Sequence, residues 1–217
     1  MSVPPARTSR RSGVETTPTG DRLMRAAEEL IAERGIGNVS VRGITARARA
    51  NTAAINYYFG TKEGLVNAIV EQRAQQIGTR RIELLDEALD ADPTIRGVVT
   101  VLVTAAAELA ANRIEGGRVF IRCRQAMRAD PEAAMLLEKH FEPYTERFLD
   151  ALEQVAPHLP PMVRVMRFGL ARDVVDASFA NDLLPAWVAG RVGAPPTPEQ
   201  LTEIVTEFLV ASFEAAA

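Results

Sequence analysis

The sequence predicts an all-α protein of about nine helices, with a small three-helix N-terminal head, a linking helix and a larger helical body. Three observations carry that prediction. Apolar residues recur at three- and four-residue spacing along nearly the whole chain from residue 19 onward. Helix punctuation falls between these stretches, with Ser40, Asn51 and Thr61 placed as caps, Gly116 and Gly117 as a break, and Pro131 opening a helix at its first turn. Charge is also divided along the chain. Residues 1–62 carry ten Lys/Arg against five Asp/Glu, whereas the remainder carries fifteen against twenty-three. A basic front on an acidic body fits a head that approaches a polyanion and a body that avoids it.

Residues 1–18 are rich in Pro, Ser, Thr and Arg and hold almost nothing to bury, so they are expected to form a disordered basic tail. Arg7, Arg10 and Arg11 are placed there to reach along a nucleic acid or simply to solubilise the chain. The first helix spans Thr19 to Arg34, with Leu23, Ala27, Leu30 and Ile31 inward, and Gly35 and Gly37 stop it. Ser40 then caps a helix of about two turns in which Ile44 and Ala48 recur. After the Arg49-Ala50 joint, Asn51 caps a second short helix with Ala54, Ile55 and Phe59 inward and Thr52, Ala53, Asn56 and Tyr57 outward. Two short helices on a tight turn, with small or hydrogen-bonding side chains at the start of the second, form a helix-turn-helix suited to the major groove of duplex DNA. Asn56 is placed to pair with an adenine edge and Arg42 with a guanine. Tyr57, Tyr58 and Lys62 suit sugar-phosphate contacts. Arginines on a helix face ordinarily mean a solvated surface, and Phe59 is read as core.

The run INYYFGTKEGLVNAIV resembles the Y-x-H-F-x-s-K-e-x-L segment that closes the DNA-binding domain of the TetR family of bacterial transcription regulators, and the resemblance extends back through RLMRAAEELIAERGIGNVSVRGITARA, roughly Asp21 to Val70. It implies base contacts from Arg42, Thr52, Ala53 and Asn56, and phosphate contacts from Ser40, Tyr57, Tyr58 and Lys62. Two positions depart from the family pattern. Arg49 stands where the inter-helix turn usually has glycine, which places a side chain at a strained positive φ. Asn56 replaces the first aromatic of the motif, exchanging a phosphate-reaching phenol for a base-reading amide.

The linking helix runs from Thr61 to about Leu89, with Leu65, Ile69, Ile77, Leu84 and Leu85 inward and Pro93 ending it. It is the expected lever between body and head. Thr94 to Asn112 is apolar on nearly every side. Arg118 to Ala129 follows with Phe120, Cys123 and Met127 on one face. The next helix carries a long stripe of Leu137, Phe141, Tyr144, Phe148, Leu152 and Val155, with Pro143 expected to kink it. Two last helices are expected, Pro161 to Val188 and Pro198 to Ala216. The first has Met166, Leu170, Val174, Ala177 and Leu184 on one stripe; the second has Leu201, Ile204, Val205, Phe208 and Ala211.

The expected domains are therefore a head at 19–64 and a body at 65–217. The resemblance implies that the body binds a ligand and that its late helices pair with their copies in a homodimer, which reads a palindromic operator. A pocket among the helices of residues 94–190 is expected to be lined by Phe120, Met127, Phe141, Tyr144, Phe148 and Trp187, although each of these also fits a filled core. The family implication is a repressor released by a small, largely apolar effector, and FIRCRQAMRADPEA with INYYFG resembles the branch that answers to fatty acids or their coenzyme A thioesters. A DNA-architectural protein without a ligand and a helical interaction protein with a decayed head remain open beside it.

Other classes are excluded on composition and motif. There is no glycine-rich phosphate loop, no nucleophile-base pair at useful spacing and no metal motif, so neither an enzyme nor a cofactor is expected. The single cysteine, Cys123, excludes an internal disulfide and reads as a buried, inert thiol; His140 and His158 lack ligand spacing. The N-terminus lacks the apolar segment of a signal peptide, and the apolar run Val98–Ala111 falls short of the about 20 residues needed to cross a bilayer. A cytoplasmic protein, off the membrane, is expected.

Overall fold

A computed structural model describes residues 18–111 and 114–216, so the basic tail, with Arg7, Arg10 and Arg11, lies outside the described residues apart from Pro18. Among the described residues there are ten α-helices and no strand. These are α1 (Pro18–Arg34), α2 (Val41–Arg47), α3 (Ala53–Phe59), α4 (Lys62–Ala91), α5 (Ile95–Ala110), α6 (Gly117–Arg128), α7 (Pro131–Val155), α8 (Pro161–Phe179), α9 (Leu183–Val192) and α10 (Pro198–Glu214), with a 3-10 turn at Ile36–Asn38.

The helix starts are fixed by side-chain caps. Ser40 Oγ accepts from Gly43 N at 3.1 Å, Asn51 Oδ1 from Ala53 N at 2.9 Å and Thr61 Oγ1 from Gly64 N at 3.0 Å. Thr94 and Asp130 do the same for α5 and α7, and Thr197 with Gln200 forms a capping box on α10. Each such bond satisfies a backbone donor that the helix leaves unpaired, and losing one costs about 1 kcal/mol.

Leu23, Ala27, Leu30 and Ile31 of α1 meet Ile44, Ile55, Leu65 and Ile69 in the core of the head, all of them essentially inaccessible to solvent. The 30-residue α4 continues from there into the body, where it packs on α5 and α7, while α1 lies along α6. One buried ion pair ties these parts together. Arg73 of α4 donates through Nε and Nη2 to the two carboxylate oxygens of Glu28 on α1, at 2.7 and 2.8 Å, and through Nη1 to the carbonyl of Glu115 before α6, at 2.8 Å.

One feature differs from expectation. The stretch 161–188 forms two helices, which accounts for ten instead of about nine. Asn181 Oδ1 accepts from Leu183 N at 2.8 Å, the bond of an Asx turn, and Pro185, which has no N–H to give, then fits the first turn of a new helix. Helix α7 runs from 131 to 155 with Pro143 inside it. Its stripe is inward as expected, with Leu137, Phe141, Phe148 and Leu152 buried and Tyr144 and Val155 half-buried.

The stripe of Met166 and Leu170 on α8 lies on its uncovered side. The buried side of that helix is Phe168, Ala171, Val175 and Phe179, while Met162, Val165, Met166 and Leu170 are exposed. On α10, likewise, Val205, Leu209, Val210 and Phe213 are buried and Ile204 and Phe208 are exposed. Two helices with apolar residues on both sides leave a large uncovered apolar surface.

Candidate DNA interface and effector cavity

Helix α3 seats itself on the head through Ile55, with Ala54 and Phe59 half-buried beside it, which turns the other side of the helix outward. Thr52, Ala53 and Asn56 are all exposed there, at the N-terminal end of the helix. Tyr57 is 79% exposed and Tyr58 is exposed beside it, the rings meeting edge to face at 4.9 Å between centroids. Arg42 projects from the start of α2, and its guanidinium makes no hydrogen bond or ion pair among the described residues. Ser40 keeps its hydroxyl proton free while its oxygen caps α2. Lys62 is half-buried and donates from Nζ to the carbonyl of Val39 at 3.1 Å, leaving two ammonium protons. The eight residues expected to contact DNA therefore come together around the joint of α2, α3 and the start of α4.

Arg47 is a different kind of residue from Arg42. It donates to Glu29 at 3.0 Å and to Glu33 at 2.9 Å, tying α2 to α1, and its hydrogen bond holds the Glu33 carboxyl below the usual range. Arg49 has φ 50°, the left-handed conformation that glycine usually supplies. The reason is a Schellman closure of α2: Ala50 N donates to Thr45 O at 2.9 Å and Arg49 N to Ala46 O at 3.2 Å. The turn keeps the geometry that glycine favours, with the arginine strained in it.

In the body, Phe120 and Met127 are wholly buried, and the Phe120 ring stacks on Phe141 at 6.3 Å. Both are filled core and neither lines the cavity of about 30 Å³ in the body, which is walled on its apolar side by Phe141, Tyr144, Phe148 and Phe168. Trp187 is not among these residues. It stands 56% exposed on α9 with Arg191 stacked 3.9 Å above its ring, because the break at Asn181 carries α9 away from the interior. A second, larger cavity of about 480 Å³ lies between α5, the α8–α9 joint and the start of α10, with Ala107, Phe179, Pro185 and Leu201 in its wall.

What the sequence reading missed is the polar half of the first cavity, formed by Arg81, Arg124, Arg128 and Arg172. The signal was Arg124 and Arg128, four residues apart on the helix that buries Phe120, Ile121 and Met127. Cys123 is buried as expected, and burial pushes its thiol far above the ordinary range. Among the described residues no helix is long and apolar enough to cross a membrane.

A helix-turn-helix head on a helical body defines the class, and two family models place the chain within it. The model of bacterial regulatory proteins, tetR family, matches residues 23–69, and that of the tetracyclin repressor-like C-terminal domain matches residues 100–212, more than half of the chain. The chain belongs to the TetR family of transcription regulators. An HTH-type transcriptional repressor of Mycobacterium tuberculosis is 33% identical over 92 residues, 42% of this chain and 47% of that protein, so the chain spans about half the length of that relative. The HTH-type transcriptional regulator UidR of Escherichia coli is 24% identical over 185 residues, 78% of this chain and 91% of that protein. Among solved structures, the transcriptional regulator FadR from Bacillus subtilis in complex with stearoyl-CoA has a TM-score of 0.62 at 20% identity, covering 88% of this chain and 98% of that one, which shows a shared fold.

Proposed function

We propose that the protein is a homodimeric repressor of the cytoplasm that binds a palindromic operator and is released by a small molecule held in the body. The observation that carries this reading is the exposed N-terminal end of α3, where Thr52, Ala53 and Asn56 stand clear of the protein with Arg42 beside them. Asn and Arg are the side chains that read adenine and guanine edges bidentately, and Ala53 suits a thymine methyl. Ser40, Tyr57, Tyr58 and Lys62 surround that end as phosphate contacts that set register. Residues 19–64 then act as the reading head and 65–217 as the sensing and pairing body.

One such head makes few contacts, so two-fold pairing supplies both affinity and a pair of half-sites about 34 Å apart. The uncovered apolar faces of α8 and α10 supply the surface for it. The cavities in the body, and the stearoyl-CoA held by the similarly folded FadR, support ligand release. A ligand that prefers the body conformation with misplaced heads lowers operator affinity by its differential affinity for the two states.

The test is selection of bound sequences from a random duplex pool by the purified protein at physiological salt, followed by gel shift on the winner. A palindrome with half-sites one helical turn apart is expected. Absence of any enriched sequence would refute the reading in favour of an architectural or interaction role.

A further inference from the structure

The interior of the body carries a positive charge that its own carboxylates do not balance. Four guanidiniums face the 30 Å³ cavity: Arg81 from α4, Arg124 and Arg128 from α6, and Arg172 from α8. Three carboxylates answer them. Asp176, buried on α8, accepts from Arg124, and its second oxygen lies 3.3 Å from Arg128 without hydrogen-bond geometry. Asp173 takes Arg128, and Glu138 takes Arg172 at 2.9 Å, both from the solvent side. Arg81 is left over. It makes no hydrogen bond or ion pair among the described residues, and its Nε is shut off from water. The Nε of Arg124, a residue only 6% exposed, is likewise buried without an acceptor.

Two unpaired guanidinium donors at one small cavity are costly in a folded core, since buried charges are ordinarily paired and hydrogen-bonded. Burial first, and the neighbouring Arg124 second, push Arg81 down to about 9, and burial also lowers Arg128. Arg81 remains cationic at neutral pH and lacks only a counter-ion. The opposite wall is aromatic, with Phe141, Phe148 and Phe168.

We propose that this cavity is the headgroup end of the effector site and that the effector is an organic monocarboxylate. Its carboxylate is taken by Arg81 and the free Nε of Arg124, and its apolar part lies against the three phenylalanines. The inference rests on the reading of the chain as an effector-released regulator. The charge count selects a monoanion: one unbalanced guanidinium matches one carboxylate, whereas a phosphate monoester brings about −1.5 to −2. The planar guanidinium fork also matches a carboxylate geometrically.

Size supplies the coupling. A cavity of about 30 Å³ accepts a carboxylate but not the rest of the molecule, so binding has to part the helices around it. The seam between α4 and α7 has no slack to absorb this, since Tyr144 lies so close over Gly78 that a Cβ there would fall 2.3 Å from its ring. The effector therefore shifts either α7 with Tyr144 or α4 itself, which carries the head. Arg124 gives it a second hold on α6, the helix packed along α1.

The full-length protein and the Arg81→Met variant should be melted alone and with octanoate or benzoate, using octanol and benzyl alcohol as uncharged counterparts. Without additive, the variant is expected to melt a few degrees above the parent, because an unpaired, half-buried charge with a dry Nε has been removed. A carboxylate at about a hundredfold over its Kd should raise the parent's Tm by roughly 5–10 °C. The alcohols should not, and Arg81→Met should lose the shift. A variant no more stable than the parent, equal shifts from acid and alcohol, no shift from either acid, or a shift that survives in Arg81→Met would each overturn the proposal. Gel shift on the selected operator separates the two readings: a protein that binds its operator yet ignores both acids remains a regulator with a different effector.

Discussion

Replacing Glu28 by alanine should be the most damaging single change in the head. Arg73 is at the edge of full burial, and two of its three hydrogen-bonding nitrogens, Nε and Nη2, donate to Glu28 at 2.7 and 2.8 Å. The third reaches the carbonyl of Glu115 and cannot replace a lost carboxylate. Removing one partner of such a pair strands a charge in a poorly solvated site, at a cost of about 3–5 kcal/mol. That is a large fraction of a total stability of about 5–15 kcal/mol, and for a chain of this length it corresponds to a fall in Tm of roughly 6–20 °C. Thermal melts followed by helical circular dichroism measure it directly. The double substitution Glu28→Leu with Arg73→Met removes both charges and should recover most of the loss, since well-packed apolar residues replace buried ion pairs at little cost. A fall of less than about 2 °C for Glu28→Ala would refute the assignment of the pair as a desolvated clamp.

Other outcomes follow from the geometry described. Asn56→Ala should cost about 1–3 kcal/mol of operator affinity and relax selection at one position of each half-site, read by repeating the sequence selection; an unchanged preference sinks the base-reading role. Arg49→Gly should stabilise the protein by about 1 kcal/mol in urea denaturation, because glycine adopts positive φ without strain, and a neutral or negative result would mean that the arginine is held by something other than the turn. Under the proposed pairing, Phe208→Glu, at a residue 61% exposed on α10, should leave the monomer folded but halve the mass seen by light scattering, whereas an unchanged mass would refute pairing through α10. Cys123 should resist iodoacetamide at pH 8 in the native protein and react on unfolding, since burial keeps the thiol protonated; prompt native labelling contradicts its position.

The head was legible because its signals are local. Ser40, Asn51 and Thr61 cap helices within three residues of themselves, and the inward residues of α1 to α4 repeat at a period that needs no tertiary knowledge. Even the strain at Arg49 was readable, because the family pattern that the chain resembles has glycine at that turn and a side chain in its place is strained at positive φ. The body was legible in outline only. Apolar periodicity ran straight through 161–188, so the stripe of Met166 and Leu170 hid the break that Asn181 and Pro185 make. A helix with apolar residues on both sides also gives no sign of which side is covered, and on α8 the covered side was the one carrying Phe168 and Val175. Trp187 carries no local signal that separates it from the interior aromatics, because its position depends on where α9 leaves the core. The arginines of the cavity escaped notice for the opposite reason. A lone Arg81 in a helix rich in charge reads as solvated surface, and only the packing of α4 against α5 and α7 reveals that its Nε has been cut off from water.

The unbroken length of α4 sets the scale on which the head answers the body. Thirty residues at 1.5 Å each make a rod of about 45 Å, pivoted in the body and bearing the reading helices at its far end. A tilt of only about 3° at the pivot displaces the far end by roughly 2.4 Å, most of the 3.4 Å that separates successive base pairs along one strand. In the two-fold pair proposed above the displacements would act on both half-sites, so a slight opening of the body would be enough to set two heads out of step with the groove.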